Sequence, residues 1–286
     1  MSATPLDRLR SRTAETGAPL CIGVDPHPDR LPEGYTPDVR GVESFARDLI
    51  AAVLEQAVAV KINVAFFEAF GSAGWAALER VRHDVPSHLV CILDAKRGDI
   101  DSTAERYAAG LFGHLGADGV TVSPYLGEDA IEPFLAWDDR LVYVLARTSN
   151  PSAPRIQELD AEGTPVHERV ARWVAERWTD GRVGLVVGAT APAELAALRD
   201  AVPGPGFLVP GVGVQGGDLE ASTRACHGAW APGLVSVSRG IAGASLGPDW
   251  RDAAASAAEG LRRRMGEAVL HSEASAAQAA HQGGSE

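Results

Sequence analysis

At 286 residues, with 45% hydrophobic and 22% charged residues, the chain has apolar material for one large core or two small ones. Its formal net charge of −12 argues against a nucleic-acid partner, which needs a basic patch. No apolar run reaches the roughly 18 residues of a membrane span, and the first twenty residues, MSATPLDRLRSRTAETGAPL, lack a basic-then-apolar signal segment, which predicts a cytoplasmic chain with no membrane partner.

In chain order, eight short β-branched runs predict strands: LCIGVD (20–25), VAVKI (58–62), LVCILD (89–94), GVTVS (119–123), LVYVLA (141–146), VGLVV (183–187), GFLVP (206–210) and LVSVS (234–238). Between them, stretches such as VESFARDLIAAVLEQ, EAFGSAGWAALERVRHD, STAERYAAGLFGHLG and HERVARWVAERWTD repeat apolar residues at steps of three and four, the pattern of amphipathic helices. Strict strand–helix alternation with nearly continuous apolar strands predicts an α/β fold with a parallel sheet covered by helices, and eight units suggest closure into a single-domain (β/α)8 TIM barrel over residues 1–268. An open doubly wound sheet would favour GxGxxG after the first strand, and GVDPHPD is not that sequence. The end, HSEASAAQAAHQGGSE, is small and polar, and residues 269–286 are expected to form a disordered tail. Cys21, Cys91 and Cys226 show no paired spacing and read as reduced, inert thiols.

In a barrel the working residues gather at the C-terminal ends of the strands. Asp25 closes the first run; Lys61 and Asn63 end the second; Asp94 closes the third, with Lys96 and Asp99 just after it; Thr148, Ser149 and Asn150 follow the fifth. Extended residues two apart project to one side, so Asp94 and Lys96 can share the interior, and Lys61 can reach it from the neighbouring strand. Asp99 falls where the chain turns into a helix and can point towards a neighbouring subunit. A lysine among carboxylates is favoured in its charged form, which disfavours Schiff-base chemistry, whose amine must be neutral. A cationic lysine can stabilise a carbanion and protonate it, while the acids beside it repel a substrate carboxylate. The combination suggests decarboxylation. The plain alternative for DAKRGDID is a solvated helix start in which acids face the N-terminal dipole.

The loops after the seventh and eighth runs, PGVGVQGG and SRG, lie where barrels of this class often bind phosphate, and Arg239 supplies local positive charge in an acidic chain. Each glycine loop alone reads equally as a turn. DPHPD (25–29) resembles a metal site only in its alternation, since two prolines stiffen it and no second histidine cluster accompanies it, so no metal is expected. ARTSNPSAPRIQELD (146–160) is a long polar loop that reads as a flexible connection, and its place after the fifth run also suits a lid or a base-recognition loop.

These motifs resemble the orotidine 5′-phosphate decarboxylase family, in particular its longer-chain bacterial branch. DAKRGDI (94–100) matches the family's D-x-K-x-x-D-I signature, and CIGVDPHP, KINVAFFEAFG, TVSPYLG, RTSNPS, VPGVGVQGGD and SRGI follow in the family's order across almost the whole predicted barrel. The resemblance implies a cofactor-free enzyme that converts orotidine 5′-monophosphate to UMP and CO2, and a homodimer with composite sites. It makes Lys96 the proton donor to pyrimidine C6 and sets Asp94 beside the departing carboxylate. Lys61 and Asp25 would contact the ribose. Asp99, with Ile100 and Thr103, would enter the partner's site. Ser149 would bond the pyrimidine edge, Gln215 would bridge base and phosphate, and Arg239, with Gly211 and Gly240 in the matching loops, would hold the phosphate. Ser238 stands where shorter members often carry glycine, and Ile62 where proline would be unsurprising. Two rivals share the barrel: a Mg²⁺-dependent sugar-phosphate decarboxylase with a similar D-x-K-x-x-D run, and a catalytically silent nucleotide-phosphate-binding barrel.

Overall fold

The computed structural model describes residues 3–213 and 216–283. Eight parallel strands, β1 (Leu20–Val24), β2 (Ala59–Asn63), β3 (Val90–Arg97), β4 (Gly119–Val122), β5 (Leu141–Arg147), β6 (Val183–Val187), β7 (Phe207–Pro210) and β8 (Leu234–Val237), close in the order β1-β8-β7-β6-β5-β4-β3-β2. This is the (β/α)8 barrel that the alternation predicts.

Strand parity sorts the core into two clusters. Leu20, Ile22, Val24, Val60, Ile62, Val120, Val122, Val142, Val144, Val235 and Val237 face outward and pack with the helical layer. Their neighbours Cys21, Ala59, Ile92, Tyr143, Val186, Leu208 and Leu234 face inward and form the second cluster. Both faces are covered, so the strands read as continuous apolar runs. Following the inward parity towards the strands' C-terminal ends, the residues turn polar: Asp25 on the first strand's column, Lys61 and Asn63 on the second, Asp94 on the third, Ser236 and Ser238 on the last. The barrel is thus sealed with hydrocarbon at one end and opens into polar groups at the other.

The seal is completed by a helix before the first strand, Pro5–Thr16, which the strand–helix pattern does not predict. Its signal lies in TPLD: Thr4 caps Asp7 in a reciprocal capping box and Pro5 stands at the first helical position. Leu6 and Leu9 of this helix join the interior cluster.

Three segments depart from expectation. β3 runs to Arg97, three residues past the predicted end, and its pairing with β4 shifts from Leu93↔Val120 to Arg97↔Val122, a bulge that contains Lys96. The long segment after β5 is built rather than loose. It holds a short helix, Pro154–Gln157, and a hairpin pairing Asp160–Ala161 with Thr164–Pro165, anchored by buried Arg147 on Glu158 at 2.7 Å and by His167 Nδ1 on the Gln157 carbonyl at 2.8 Å. Finally, the last helix runs Trp250–Gly283, so the backbone through 269–283 is helical where a loose tail was expected; the segment is rich in alanine, the strongest helix former. Cys21, Cys91 and Cys226 are free and buried, and burial pushes each thiol up to about 12.

Candidate active site

The inward columns of the strands and the loops that follow them enclose a cavity of about 540 Å³ at the barrel's C-terminal end. Of the residues singled out in the sequence, Asp25, Lys61, Asp94, Lys96, Ser149, Gly211, Arg239 and Gly240 all line it. Asp99, Ile100 and Thr103 do not. Asp99 instead accepts the Ile100 N–H at 2.9 Å, and Ile100 and Thr103 are exposed. Gln215 lies outside the described residues.

The charged centre is a single carboxylate held by three donors. Asp94 Oδ2 accepts from Lys61 Nζ at 2.7 Å; Oδ1 accepts from Lys96 Nζ at 2.5 Å and from the Thr121 hydroxyl at 2.9 Å. Asp94 and Lys61 are both buried. Burial by itself would lower the Lys61 pKa, but the attraction of Asp94 and then of Asp25 outweighs it, and the group is pushed up to about 12. For Asp94 burial would raise the pKa, and the charges of Lys61 and Lys96 more than reverse this, holding the carboxyl below the usual carboxylate range. The centre is therefore two ammonium groups on one carboxylate.

Lys96 differs from Lys61 in access and in backbone. Its side chain is 49% exposed on the cavity wall. Its φ is 45°, in the left-handed region, which for a non-glycine residue costs about 1–3 kcal/mol and persists only where the surroundings impose it. Asp94 and Lys96 do meet, as the two-residue spacing suggested, but through the β3 bulge rather than through regular extension.

Asp25 stands nearby, and its Oδ1 is buried with no hydrogen-bond partner among the described residues. A buried carboxylate oxygen in that condition is suited to a ligand hydroxyl. β7 lies diametrically across the barrel from β3. Beyond β7, Gly211 adopts φ 101°, a conformation closed to most side chains, and Gly217 N–H donates to its carbonyl at 3.2 Å. After β8, Ser238, exposed Arg239 and Gly240 open the short helix Arg239–Ala242. Ser238 fits because Gly23 faces it: a Cβ at position 23 would sit 2.8 Å from the Ser238 Cβ. This wall offers backbone N–H groups and a guanidinium, the chemistry of an anion cradle.

Sequence reasoning missed Thr121, Gln157 and Ser236, and the apolar lining of Leu145, Val186 and Leu208. Thr121, Leu145, Val186, Leu208 and Ser236 were readable from inward parity once the strands were in register. Gln157 was not, because it reaches the cavity from the built segment after β5, where it accepts the Thr148 N–H at 2.8 Å and donates to the Thr148 hydroxyl at 2.8 Å. His27 packs edge-on to Phe66 with centroids 4.4 Å apart. Among the described residues no group of three or more His, Cys, Asp or Glu is placed to hold a metal ion.

Residues 18–256 match the model of the family described as "Orotidine 5'-phosphate decarboxylase / HUMPS family". The chain is 48% identical over 253 residues to the orotidine 5′-phosphate decarboxylase of Roseiflexus castenholzii, covering 87% of this chain and 93% of that protein. It is 44% identical over 268 residues to the enzyme of the same name from Bordetella pertussis, covering 91% and 97%. Among solved structures, the OMP decarboxylase of Leishmania donovani superposes with a TM-score of 0.79 at 38% identity, covering 92% of this chain and 99% of that one.

Proposed function

The chain belongs to the orotidine 5′-phosphate decarboxylase / HUMPS family, and from that premise we propose how its cavity performs the reaction. The reaction is the decarboxylation of orotidine 5′-monophosphate to UMP and CO2, the last step of de novo pyrimidine synthesis.

The phosphate lies against Arg239, Gly211 and Gly240. The ribose hydroxyls reach Asp25 and Lys61, and the pyrimidine edge bonds Ser149. This orientation points C6 and its carboxylate at Asp94 and Lys96. Like charge disfavours the substrate carboxylate beside Asp94. As the C6–carboxylate bond breaks, the electron pair stays on C6 and CO2 departs; Lys96 Nζ then gives C6 a proton. Its partial exposure lets the resulting amine recover a proton from water. Lys61, buried and with its pKa raised, stays charged and keeps Asp94 ionised.

The observation that carries this reading is the Asp94 carboxylate bonded to both lysines, facing the glycine–arginine wall across one cavity. The test follows the absorbance of orotidine 5′-monophosphate in EDTA. Wild type is expected to consume it without added metal, and Lys96→Ala to lose on the order of 10⁴-fold in kcat, the upper range for removing a general acid. A fully active Lys96→Ala would remove Lys96 from the mechanism. A requirement for Mg²⁺ would instead support the metal-dependent sugar-phosphate chemistry, and UMP binding without turnover a silent barrel.

The protein acts as a homodimer in which Asp99, Ile100 and Thr103 complete the partner's site. In support, these residues sit outside their own cavity, and apolar side chains on this loop and on the loop after the adjacent β4 are left in water: Ile100 is 43% exposed, Tyr125 83% and Leu126 48%. Mixing Asp99→Ala with Lys96→Ala is expected to restore part of the activity, because hybrid dimers assemble one site from two intact halves. No recovery despite proven subunit exchange would refute the shared site. Three free cysteines fit a reducing compartment, the cytoplasm.

A further inference from the structure

We propose that Thr121 is a positioning residue for this reaction, locking Asp94 and the Lys96 bulge into one unit. The inference rests on the reading of Lys96 as proton donor. Thr121 is buried in β4 on the inward parity, two residues after Gly119. Its hydroxyl has one proton to give, and gives it to Asp94 Oδ1 at 2.9 Å; the Thr121 hydroxyl oxygen in turn accepts the Lys96 backbone N–H at 3.0 Å. One atom thus ties the acid's side chain to the lysine's main chain.

The strand pairing shows why this tie is needed. Between Leu93↔Val120 and Arg97↔Val122, β3 advances four residues while β4 advances two. In an unbroken parallel ladder the amides of β3 would find β4 carbonyls; in the bulge the Lys96 N–H finds a side chain instead. The ladder resumes at once, with Ser123 N–H donating to the Arg97 carbonyl at 2.7 Å. Lys96 holds φ 45° between these two fixed points, without a glycine's freedom. The Thr121 oxygen is the acceptor that keeps its amide in that conformation, and the conformation aims the side chain back at Asp94.

The carboxylate is fixed by the same group. Lys61 anchors Oδ2, while Thr121 and Lys96 share Oδ1. Without the hydroxyl, Oδ1 keeps only the lysine that must let go when it protonates C6. Thr121 therefore holds Asp94 steady through the step in which its other Oδ1 partner changes charge. The β-branch restricts χ1 on the strand and adds to the rigidity.

The test compares Thr121→Val, which keeps the shape and removes both hydrogen bonds, with Thr121→Ser, which keeps the hydroxyl. Steady-state kinetics with orotidine 5′-monophosphate, UMP affinity by calorimetry and a crystal structure of each variant are the readouts. Thr121→Val is expected to lose about tenfold to a hundredfold in kcat, as for a lost hydrogen bond to a charged group, with little change in KM or UMP affinity. In its crystal structure Lys96 should leave the left-handed region and its ammonium should leave Asp94. Thr121→Ser should retain most of kcat and the wild-type geometry. The proposal is overturned if Thr121→Val turns over as wild type does, if Thr121→Ser is as impaired as Thr121→Val, or if Lys96 in Thr121→Val keeps its φ and its contact with Asp94. A wild type that does not decarboxylate the substrate would overturn the functional reading instead, and the crystal structures would still decide whether Thr121 holds the bulge.

Discussion

The barrel buries an aspartate at each end, and the two are put to opposite use. At the C-terminal end Asp94 holds two lysines and a threonine. At the N-terminal end Asp118, just before β4, binds Arg8, with Arg82 at 3.6 Å and Arg140 at 3.7 Å, and accepts the Cys91 N–H at 2.9 Å. Two of the arginines around Asp118 are committed elsewhere as well. Arg8 donates to the carbonyls of Ser87 at 2.8 Å and Leu89 at 3.0 Å, and Arg82 Nε to that of Gly116 at 3.0 Å. A guanidinium with several fixed acceptors and no accessible deprotonated state is a staple. Among the described residues the Lys96 ammonium reaches Asp94 alone, and it borders an open cavity, so it can leave its partner and deliver a proton. A buried carboxylate with cations therefore says little about purpose; the kind of cation and its access to the cavity decide between holding a fold and moving a proton.

Lys96→Arg is the sharpest way to break this contrast, because it puts the cation type of the far end at the reactive end. Charge is preserved and proton delivery is not, so kcat is expected to fall on the order of 10³-fold or more, within the range of general-acid catalysis. Turnover close to wild type would mean that electrostatics alone suffices. Next in size is Asp118→Asn. It should cost roughly 3 kcal/mol of unfolding free energy in urea titrations, the low end for breaking a buried charge cluster, since its arginines keep some contact with water; kcat per folded molecule should not change. A variant as stable as wild type would deny Asp118 its role as a staple.

The smallest effect is a dependence on pH. The raised Lys61 pKa contributes stability that is complete below the ordinary lysine value of 10.5 and lost as pH climbs from there through about 12. The depressed Asp94 pKa contributes above its ordinary value of 3.8 and loses that contribution as pH falls below it. The stability difference between wild type and Lys61→Met should therefore shrink at both extremes and stay level between them. A difference that grew above pH 10.5 would contradict the sign of the Lys61 shift.

Much of this is legible in the sequence. Eight apolar runs with helical spacers specified a barrel because both faces of each strand are buried, and Lys61, Asp94 and Lys96 declared themselves by interrupting hydrocarbon at strand ends. The same inward parity reaches Thr121 and Ser236, but their neutral side chains do not stand out until the register is known. The helix Pro5–Thr16 was announced by its capping box, while its task, plugging the barrel with Leu6 and Leu9, required knowing which end was open.

Local chemistry is written in the order of residues, so the chain by itself fixed the alternation of elements, the apolar and polar columns of each strand, and the charged run that ends β3. What it could not fix is any quantity that depends on two strands meeting. The two-residue slip between β3 and β4, the left-handed turn at Lys96 and the hydroxyl of Thr121 that bridges them arise only when the sheet closes. Hydrogen-bond partners from distant segments then compete for the same few groups, and the closed barrel leaves them only one arrangement.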